Sequence, residues 1–361
     1  MSLTVLTDRT VTRLLTSLTA PTLQPILASL GSALTTYALD GAEKAHQPHR
    51  AVVNRDGQVS LFMPSSTTSH IGTKMVGVTP ADRQTSKTAA GLNSVLTLCD
   101  EAGRAVGVLN AAGLTAFRTA LGIMLLYRFR EVTDSIVVFG AGKQALWHIL
   151  LALVLKGDAI REIIIVNRSR ERAEHLLQSV KQSGASTDKI RIFDAEKESL
   201  EDVVTAADVL FCTTPSTAPL FPASWLLTEQ ARRKTRFISM IGSYRLDMQE
   251  IDPDYLRKVV DAGSELAQGV LGAQVAVDTR DGCLAEAGEL AKAGIEGDKM
   301  REVGEILYTQ EKGTEAELDT WLKGGLVVYK SVGIGIMDIA VGSSLLELAQ
   351  KEGAGTTVED F

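Results

Sequence analysis

The most specific chemistry-bearing pattern in this chain is G-x-G-x-x-A, formed by Gly140, Gly142 and Ala145 with Lys143 and Gln144 between them. The pattern gains meaning from its setting. It follows the apolar run Ser-Ile-Val-Val-Phe at 135–139 and opens an apolar stretch reaching about residue 155, so it reads as a strand, a tight turn and a helix. The first glycine permits the turn, and the second lets backbone N–H groups approach a pyrophosphate. The small Ala145 lets the helix pack on the strand. The helix N-terminus then adds partial positive charge. The chemistry implied is the binding of a dinucleotide.

The next strand sets which dinucleotide. A site for NAD usually ends that strand in an acid, which binds the ribose 2′-hydroxyl. Here the strand at 162–166 ends in Asn167, Arg168, Ser169 and Arg170, with no acid before Glu171. Two arginines can pair with a 2′-phosphate through charge-assisted bonds, and arginine in a first helical turn opposes the helix dipole unless an anion sits there. The expected cofactor is NADP(H). Two later strand ends continue the site. Thr213, Thr214 and Pro215 would flank the ribose, and Gly242-Ser243-Tyr244 would let a nicotinamide approach the backbone.

Three cations precede this unit in apolar or tight surroundings. Arg50 follows Gln47-Pro48-His49, Lys74 lies in the strand 71–78, and Arg118 lies in an otherwise apolar helical run. Fixed cations of this kind can hold a substrate carboxylate. A lone buried charge can equally be half of a structural ion pair, and the spacing leaves both open.

The elements that must position these groups follow from periodicity. Leu14, Leu15, Leu18, Leu23, Ile26, Leu27 and Leu30 predict two short helices broken at Pro21. Residues 51–64 predict a hairpin turning at Asp56-Gly57. A strand is expected at 71–78, and a second hairpin has arms at 94–99 and 105–109. A helix is expected over 114–127. Strands at 135–139, 162–166, 190–193, 209–213, 236–241 and 259–261 alternate with helices, which argues for a parallel sheet with crossovers. Residues 312–320 read as a polar surface segment, 324–331 as the start of a last unit, and 334–348 as an apolar helix.

Composition narrows the class. The chain has 361 residues, 45% of them hydrophobic, and a net charge of −7, enough for two domains. No long basic run suggests nucleic acid. Cys99, Cys212 and Cys283 stand far apart, which fits buried thiols in a reducing compartment. The five histidines have no carboxylate or thiol cluster around them, so no metal site is expected. The opening MSLTVLTDRTV lacks the apolar core of a signal peptide, and no apolar stretch is long enough to span a bilayer. A cytoplasmic enzyme without a membrane or nucleic-acid partner is expected.

Taken in order, these pieces resemble the ornithine cyclodeaminase/μ-crystallin family over nearly the whole length. The resemblance rests on Gln47-Pro48-His49-Arg50, Met63-Pro64, Gly72-Thr73-Lys74, Phe117-Arg118-Thr119-Ala120, the glycine pattern with His148, and Asn167-Arg168. It continues through Ala207-Asp208, Thr214-Pro215-Ser216, Gly242-Ser243, Tyr329-Lys330-Ser331-Val332-Gly333 and Asp338. It implies an α/β fold: a Rossmann dinucleotide-binding domain at 128–323, inserted in an α+β substrate and dimerisation domain made of 1–127 and 324–361. It also implies a homodimer, a carboxylate clamp of Arg50, Lys74 and Arg118, and cofactor contacts extending to Thr119 and Gly333; within that clamp Lys74 and Arg118 are the expected catalytic residues, the imine proton coming from Lys74 or from a water relay. Lys330 and Asp338 would either shape the site or serve packing and capping.

Cyclodeaminases of the family carry an aspartate after the glycine that ends the strand before the Gly242 loop, and an acid at the end of the second strand. This chain has Ser243-Tyr244 and Asn167-Arg168 there. Both departures point to the branch of ketimine reductases and alanine dehydrogenases. The expected function is NADPH-dependent reduction of a cyclic or open-chain 2-imino acid, or the reverse dehydrogenation of an amino acid. The alternatives are a lyase that releases ammonia with catalytic NAD(P), and a non-catalytic NADPH-dependent binding protein.

Overall fold

The computed structural model describes residues 2–41, 44–48, 50–55, 58–78 and 92–361. By packing, it divides into two compact units. One comprises Met1–Arg118 with Ile334–Phe361, and the other Thr119–Gly333.

The first unit opens with β1 (Ser2–Leu6), α1 (Asp8–Thr16) and α2 (Ala20–Asp40). The break between the helices falls at residues 17–19. Pro21 stands in the first turn of α2, where its missing N–H would have no intrahelical partner anyway, so it starts the helix. The second helix is long, running through Pro25 to Asp40. Strands β2 (Ala51–Arg55), β3 (Gln58–Ser66), β4 (His70–Val78), β5 (Leu92–Asp100) and β6 (Ala105–Asn110) form an antiparallel meander. The turn expected at Asp56-Gly57 lies outside the described residues, but Arg55 pairs with Gln58 across it. Helix α3 (Ala112–Tyr127) follows, and the division between the units falls within it.

The second unit is a doubly wound parallel sheet. Its elements run β7 (Ser135–Phe139), α4 (Lys143–Lys156), β8 (Glu162–Val166), α5 (Arg170–Gln182), β9 (Ile190–Ile192), α6 (Leu200–Ala206), β10 (Val209–Cys212), α7 (Ala223–Leu227), α8 (Glu229–Arg233) and β11 (Phe237–Met240). They continue through α9 (Pro253–Val260), β12 (Val275–Val277), α10 (Arg280–Glu286), α11 (Gly288–Ala293), β13 (Met300–Glu302), α12 (Val303–Lys312), α13 (Ala316–Gly324) and β14 (Val327–Lys330). The strand order is β13-β12-β14-β11-β10-β7-β8-β9. Strand order reverses between β7 and β10, the crevice where folds of this kind bind ligands. Strands β7, β10, β11 and β14 are buried throughout, which explains their continuous apolar runs.

The chain then returns to the first unit with α14 (Gly335–Lys351) and β15 (Thr356–Glu359). The first sheet has the order β15-β1-β6-β5-β4-β3-β2, and α14 packs on β3, β4, β5 and α2. A Rossmann domain is therefore inserted in an α+β domain built from both chain ends.

Other expectations need correction. Residues 259–261 are the end of helix α9, not a strand. Asp252 caps that helix by accepting from the Asp254 N–H, and Tyr255, Leu256 and Val259 form its buried face. Residues 312–320 are largely exposed, as expected of a polar surface segment, and comprise the end of α12, a turn and the start of α13. The stretch from 324 does not begin the returning segment, because β14 pairs with β11 and β12 inside the parallel sheet. The return comes at Ile334, and the first division falls at Arg118 rather than after Tyr127.

Candidate active site

In the nucleotide unit, the expected residues gather along the carboxyl ends of β7, β8, β10, β11 and β14. Gly140 has φ +113°, and a Cβ there would lie 2.7 Å from Thr213 Oγ1. Only glycine fits this turn. The Gly140 N–H donates to the Val166 carbonyl, and Thr213 Oγ1 donates to the Phe139 carbonyl at 2.7 Å, so three strand ends are laced together. Gly142 begins α4 with no side chain capping its amides, and open space faces the position of its absent Cβ. Ala145 is fully buried against the strand. Beside this cradle, Gln144 Oε1 is a buried oxygen with no hydrogen-bond partner among the described residues. Uncapped amides, open space and an orphaned polar atom at one helix start fit a dinucleotide pyrophosphate.

At the end of β8, Asn167 Nδ2 donates to the Ser169 carbonyl at 2.8 Å, and Ser169 Oγ caps α5 by accepting from the Arg172 N–H. Arg170 pairs with Glu174 one turn on, at 3.0 Å. Arg168 is exposed and makes no ion pair among the described residues. Of the two arginines expected to meet a phosphate, Arg168 is the one not already matched by a carboxylate.

The loops after β10, β11 and β14 are held by buried charged residues that periodicity did not flag. Fully buried Glu250 accepts from the Thr214 and Gly242 N–H groups, each at 2.6 Å. Burial pushes its carboxyl up to about 7, with Lys330 opposing the shift. The fully buried Ser243 donates its hydroxyl to Glu289 at 2.6 Å and accepts from Lys330 Nζ, also at 2.6 Å. Its side chain therefore serves this internal network, and only its backbone remains to meet a cofactor. Asp278 Oδ2 accepts from Ser331 Oγ at 2.8 Å and from the Gly333 N–H at 2.6 Å. Gly333, with φ +82°, is held in that turn. Pro215 is exposed, and Thr119 is buried in α3. Glu250 sits in Met-Gln-Glu-Ile-Asp-Pro, which reads as a surface turn. Glu289 sits among small residues with no helical stripe to mark it. Neither carries a local signal of burial.

In the other unit, Lys74 on β4 and Arg118 on α3 meet one carboxylate. Lys74 Nζ lies 2.6 Å from Asp338 Oδ2, and Arg118 Nε lies 3.1 Å from Asp338 Oδ1, with all three side chains at 5% exposure or less. Asp338 stands in the first turn of α14, where an acid complements the dipole. Gln47 Oε1 accepts from the Ile336 N–H at 2.9 Å and so caps that same helix. Burial lowers the Lys74 pKa to about 8. Asp338 opposes the shift, while the charges of Arg118 and Arg50 add to it. Arg50 is exposed, but its charge thus reaches Lys74. His49 lies outside the described residues. Lys74 and Arg118 each pair with Asp338, as a structural role requires, and the two of them outnumber that carboxylate by one charge.

A model of the ornithine cyclodeaminase/mu-crystallin family matches residues 20–353. Delta(1)-pyrroline-2-carboxylate reductase of Bacillus cereus is 26% identical over 310 residues, covering 83% of this chain and 84% of that protein. Ketimine reductase mu-crystallin of Macropus fuliginosus is 25% identical over 328 residues, covering 89% and 90%. Among solved structures, Delta(1)-pyrroline-2-carboxylate reductase of Thermococcus litoralis, in complex with NADH and L-proline, superposes with a TM-score of 0.73 at 20% identity. The match covers 99% of this chain and all of that one. The glycine cradle, the inserted parallel sheet and the match across residues 20–353 agree: the chain belongs to the ornithine cyclodeaminase/mu-crystallin family.

Proposed function

We propose that the protein is an NADPH-dependent oxidoreductase that reduces a cyclic or open-chain 2-imino acid to the amino acid, or runs the reverse dehydrogenation. The observation that carries this reading is the buried Lys74–Asp338–Arg118 cluster, which keeps surplus positive charge after its internal pairing. A surplus of fixed cations suits a small carboxylate substrate. The named activities of the Bacillus and Macropus relatives lie in the same class.

The nicotinamide cofactor, when bound, supplies the hydride. The chain's own groups do the rest. Arg118 and Arg50 orient the substrate carboxylate. Asp338 fixes the direction of Lys74 and Arg118, so that neither must be ordered when substrate arrives. Lys74, with a pKa near 8, holds a proton at Nζ that it can donate to the imine nitrogen at neutral pH. A protonated imine is the better hydride acceptor. Exposed Arg168, with no ion pair among the described residues, favours a cofactor carrying a 2′-phosphate.

The reading extends to a cytoplasmic homodimer. The face of the first sheet turned away from α14 exposes Ile71 and Met75, each more than 40% accessible, an apolar surface suited to a second copy. Sedimentation as a species of about twice the chain mass of 38.7 kDa is expected. No helix of the described residues is long and apolar enough to cross a membrane.

Arg118→Ala tests the clamp. Its kcat/KM for a cyclic 2-imino acid is expected to fall by about 100-fold or more, as loss of a buried charged contact costs several kcal/mol. The Kd for NADPH should hold within about threefold of wild type. Unchanged turnover would remove the clamp from the account.

A further inference from the structure

The nucleotide unit contains more buried charge than its packing requires. Glu250, Glu289 and Lys330 are 0% exposed and Asp278 is 1% exposed. Carboxylates taken out of water are expensive unless paired and hydrogen-bonded. Their oxygens here are spent on chain segments that leave three neighbouring strands. Glu250 joins the loop after β10, through the Thr214 N–H, to the loop after β11, through the Gly242 N–H. Glu289 and Lys330 hold Ser243 in that second loop, and Lys330 Nζ also donates to the Ser243 carbonyl at 2.5 Å. Asp278 holds the loop after β14 through Ser331, Val332 and Gly333.

These N–H groups lie beyond the last rung of the ladder, so no neighbouring strand accepts from them. Water would serve at an open edge; here the acceptors are the buried carboxylates of Glu250 and Asp278. The two glutamate-bridged loops also approach closely: a Cβ on Gly242 would lie 2.2 Å from the Thr214 carbonyl oxygen. Charge-assisted bonds of this kind are shorter and stronger than neutral ones, and they leave each loop little freedom.

We propose that Glu250 is a positioning residue that presets the loops at 213–216 and 241–244 for the nicotinamide half of the cofactor, and so governs the hydride step rather than the grip on the adenosine half. The inference rests on the cofactor reading given above. The adenosine half belongs to the Gly140–Ala145 turn and the Asn167–Arg170 corner, which Glu250 does not touch. Glu250 acts through two backbone amides and needs no contact with cofactor or substrate.

The test uses Glu250→Gln in the full chain. A glutamine amide offers one acceptor oxygen for two N–H groups and sets its own NH2 against the second. Three quantities are read: hydride transfer in a single turnover with NADPH and a cyclic 2-imino acid, the Kd for adenosine 2′,5′-bisphosphate, and amide hydrogen exchange at Thr214 and Gly242. We expect hydride transfer to slow at least tenfold and both amides to exchange faster, with the bisphosphate Kd unchanged within twofold. Ser243→Ala, which removes the hydroxyl between Glu289 and Lys330, should show the same split with a smaller slowing. An unchanged hydride step, or equal loss of bisphosphate binding and hydride transfer in both variants, overturns the proposal. A wild-type protein that binds neither NADPH nor NADH overturns the cofactor reading, and this inference with it.

Discussion

At the scale of single residues, the account depends on how one carboxylate is shared. Asp338 accepts from Lys74 and Arg118 with all three side chains buried, and removing one partner from such an arrangement typically destabilises by about 3–5 kcal/mol. The pairing also sets when Lys74 carries a proton. Burial brings its pKa to about 8, so the ammonium form prevails at pH 7 and is lost as pH rises through 8. If Lys74 supplies the imine proton, kcat/KM for reduction falls above about pH 8. In Lys74→Arg, whose guanidinium does not titrate in this range, the rate should drop at least about 100-fold and the limb near pH 8 should vanish. A limb that survives the substitution would assign the proton to another group. The sign for stability is opposite. A lysine whose folded pKa is lowered holds fewer protons folded than unfolded between about 8 and 10.5, so its contribution to stability rises with pH across that window.

On the proposed reading, Arg168 selects the cofactor at the same scale. Arg170 pairs with Glu174, and the Ser169 hydroxyl caps α5, which leaves Arg168 for a 2′-phosphate. Arg168→Ala should raise the Kd for NADPH by about tenfold, the loss of one exposed charge-assisted pair, and move that for NADH by less than twofold. Equal losses for both cofactors would defeat the assignment.

At the scale of elements, the loops that end β10 and β11 depend on the absence of a side chain at Gly242. Gly242→Ala would place a methyl group against the Thr214 backbone. Because the obstacle is main chain, the loops must part, at a cost of about 1–3 kcal/mol or more. The melting temperature should fall by several degrees, with the nucleotide unit the first to lose amide protection. An unchanged melting curve would mean that the two loops do not pack as closely as described.

The elements also mark how far the sequence could be read. Strands β7 and β8 were legible to the residue, because they are buried on both faces and bounded by Gly140 and Asn167. The short strands β12 and β13 were missed, since three residues of Val-Ala-Val or Met-Arg-Glu carry no period. Val259 and Val260 passed for a strand because their β-branched pair outweighed the Asp252-Pro253 helix start. Lys74 and Arg118 could be singled out as charges amid apolar neighbours. Their common partner Asp338 lies more than 200 residues away in sequence, and no local pattern joins them. Glu250, Glu289 and Asp278 were illegible for a related reason: a polar residue near a turn looks the same whether it faces water or a buried amide.

At the scale of the whole molecule, the chain places two kinds of chemistry on two units. The nucleotide unit carries the glycine cradle and the pinned loops, and the unit built from both chain ends carries the cation cluster. Its family includes reductases and cyclodeaminases by name, so fold and family alone do not select between consuming the cofactor and recycling it. The residues do favour one side, with Ser243 spent internally and its nearest acid in that loop, Asp247, paired with Arg245 at 2.9 Å. A single stoichiometry test is therefore the most direct. Purified protein is incubated with NADPH and a cyclic 2-imino acid, and separately with NAD(P) and ornithine, while cofactor, amino acid and ammonia are all quantified. The account expects one NADPH oxidised for each amino acid formed, with no ammonia from ornithine. Ammonia released from ornithine without net cofactor change, or no NADPH oxidation with any 2-imino acid, would contradict it.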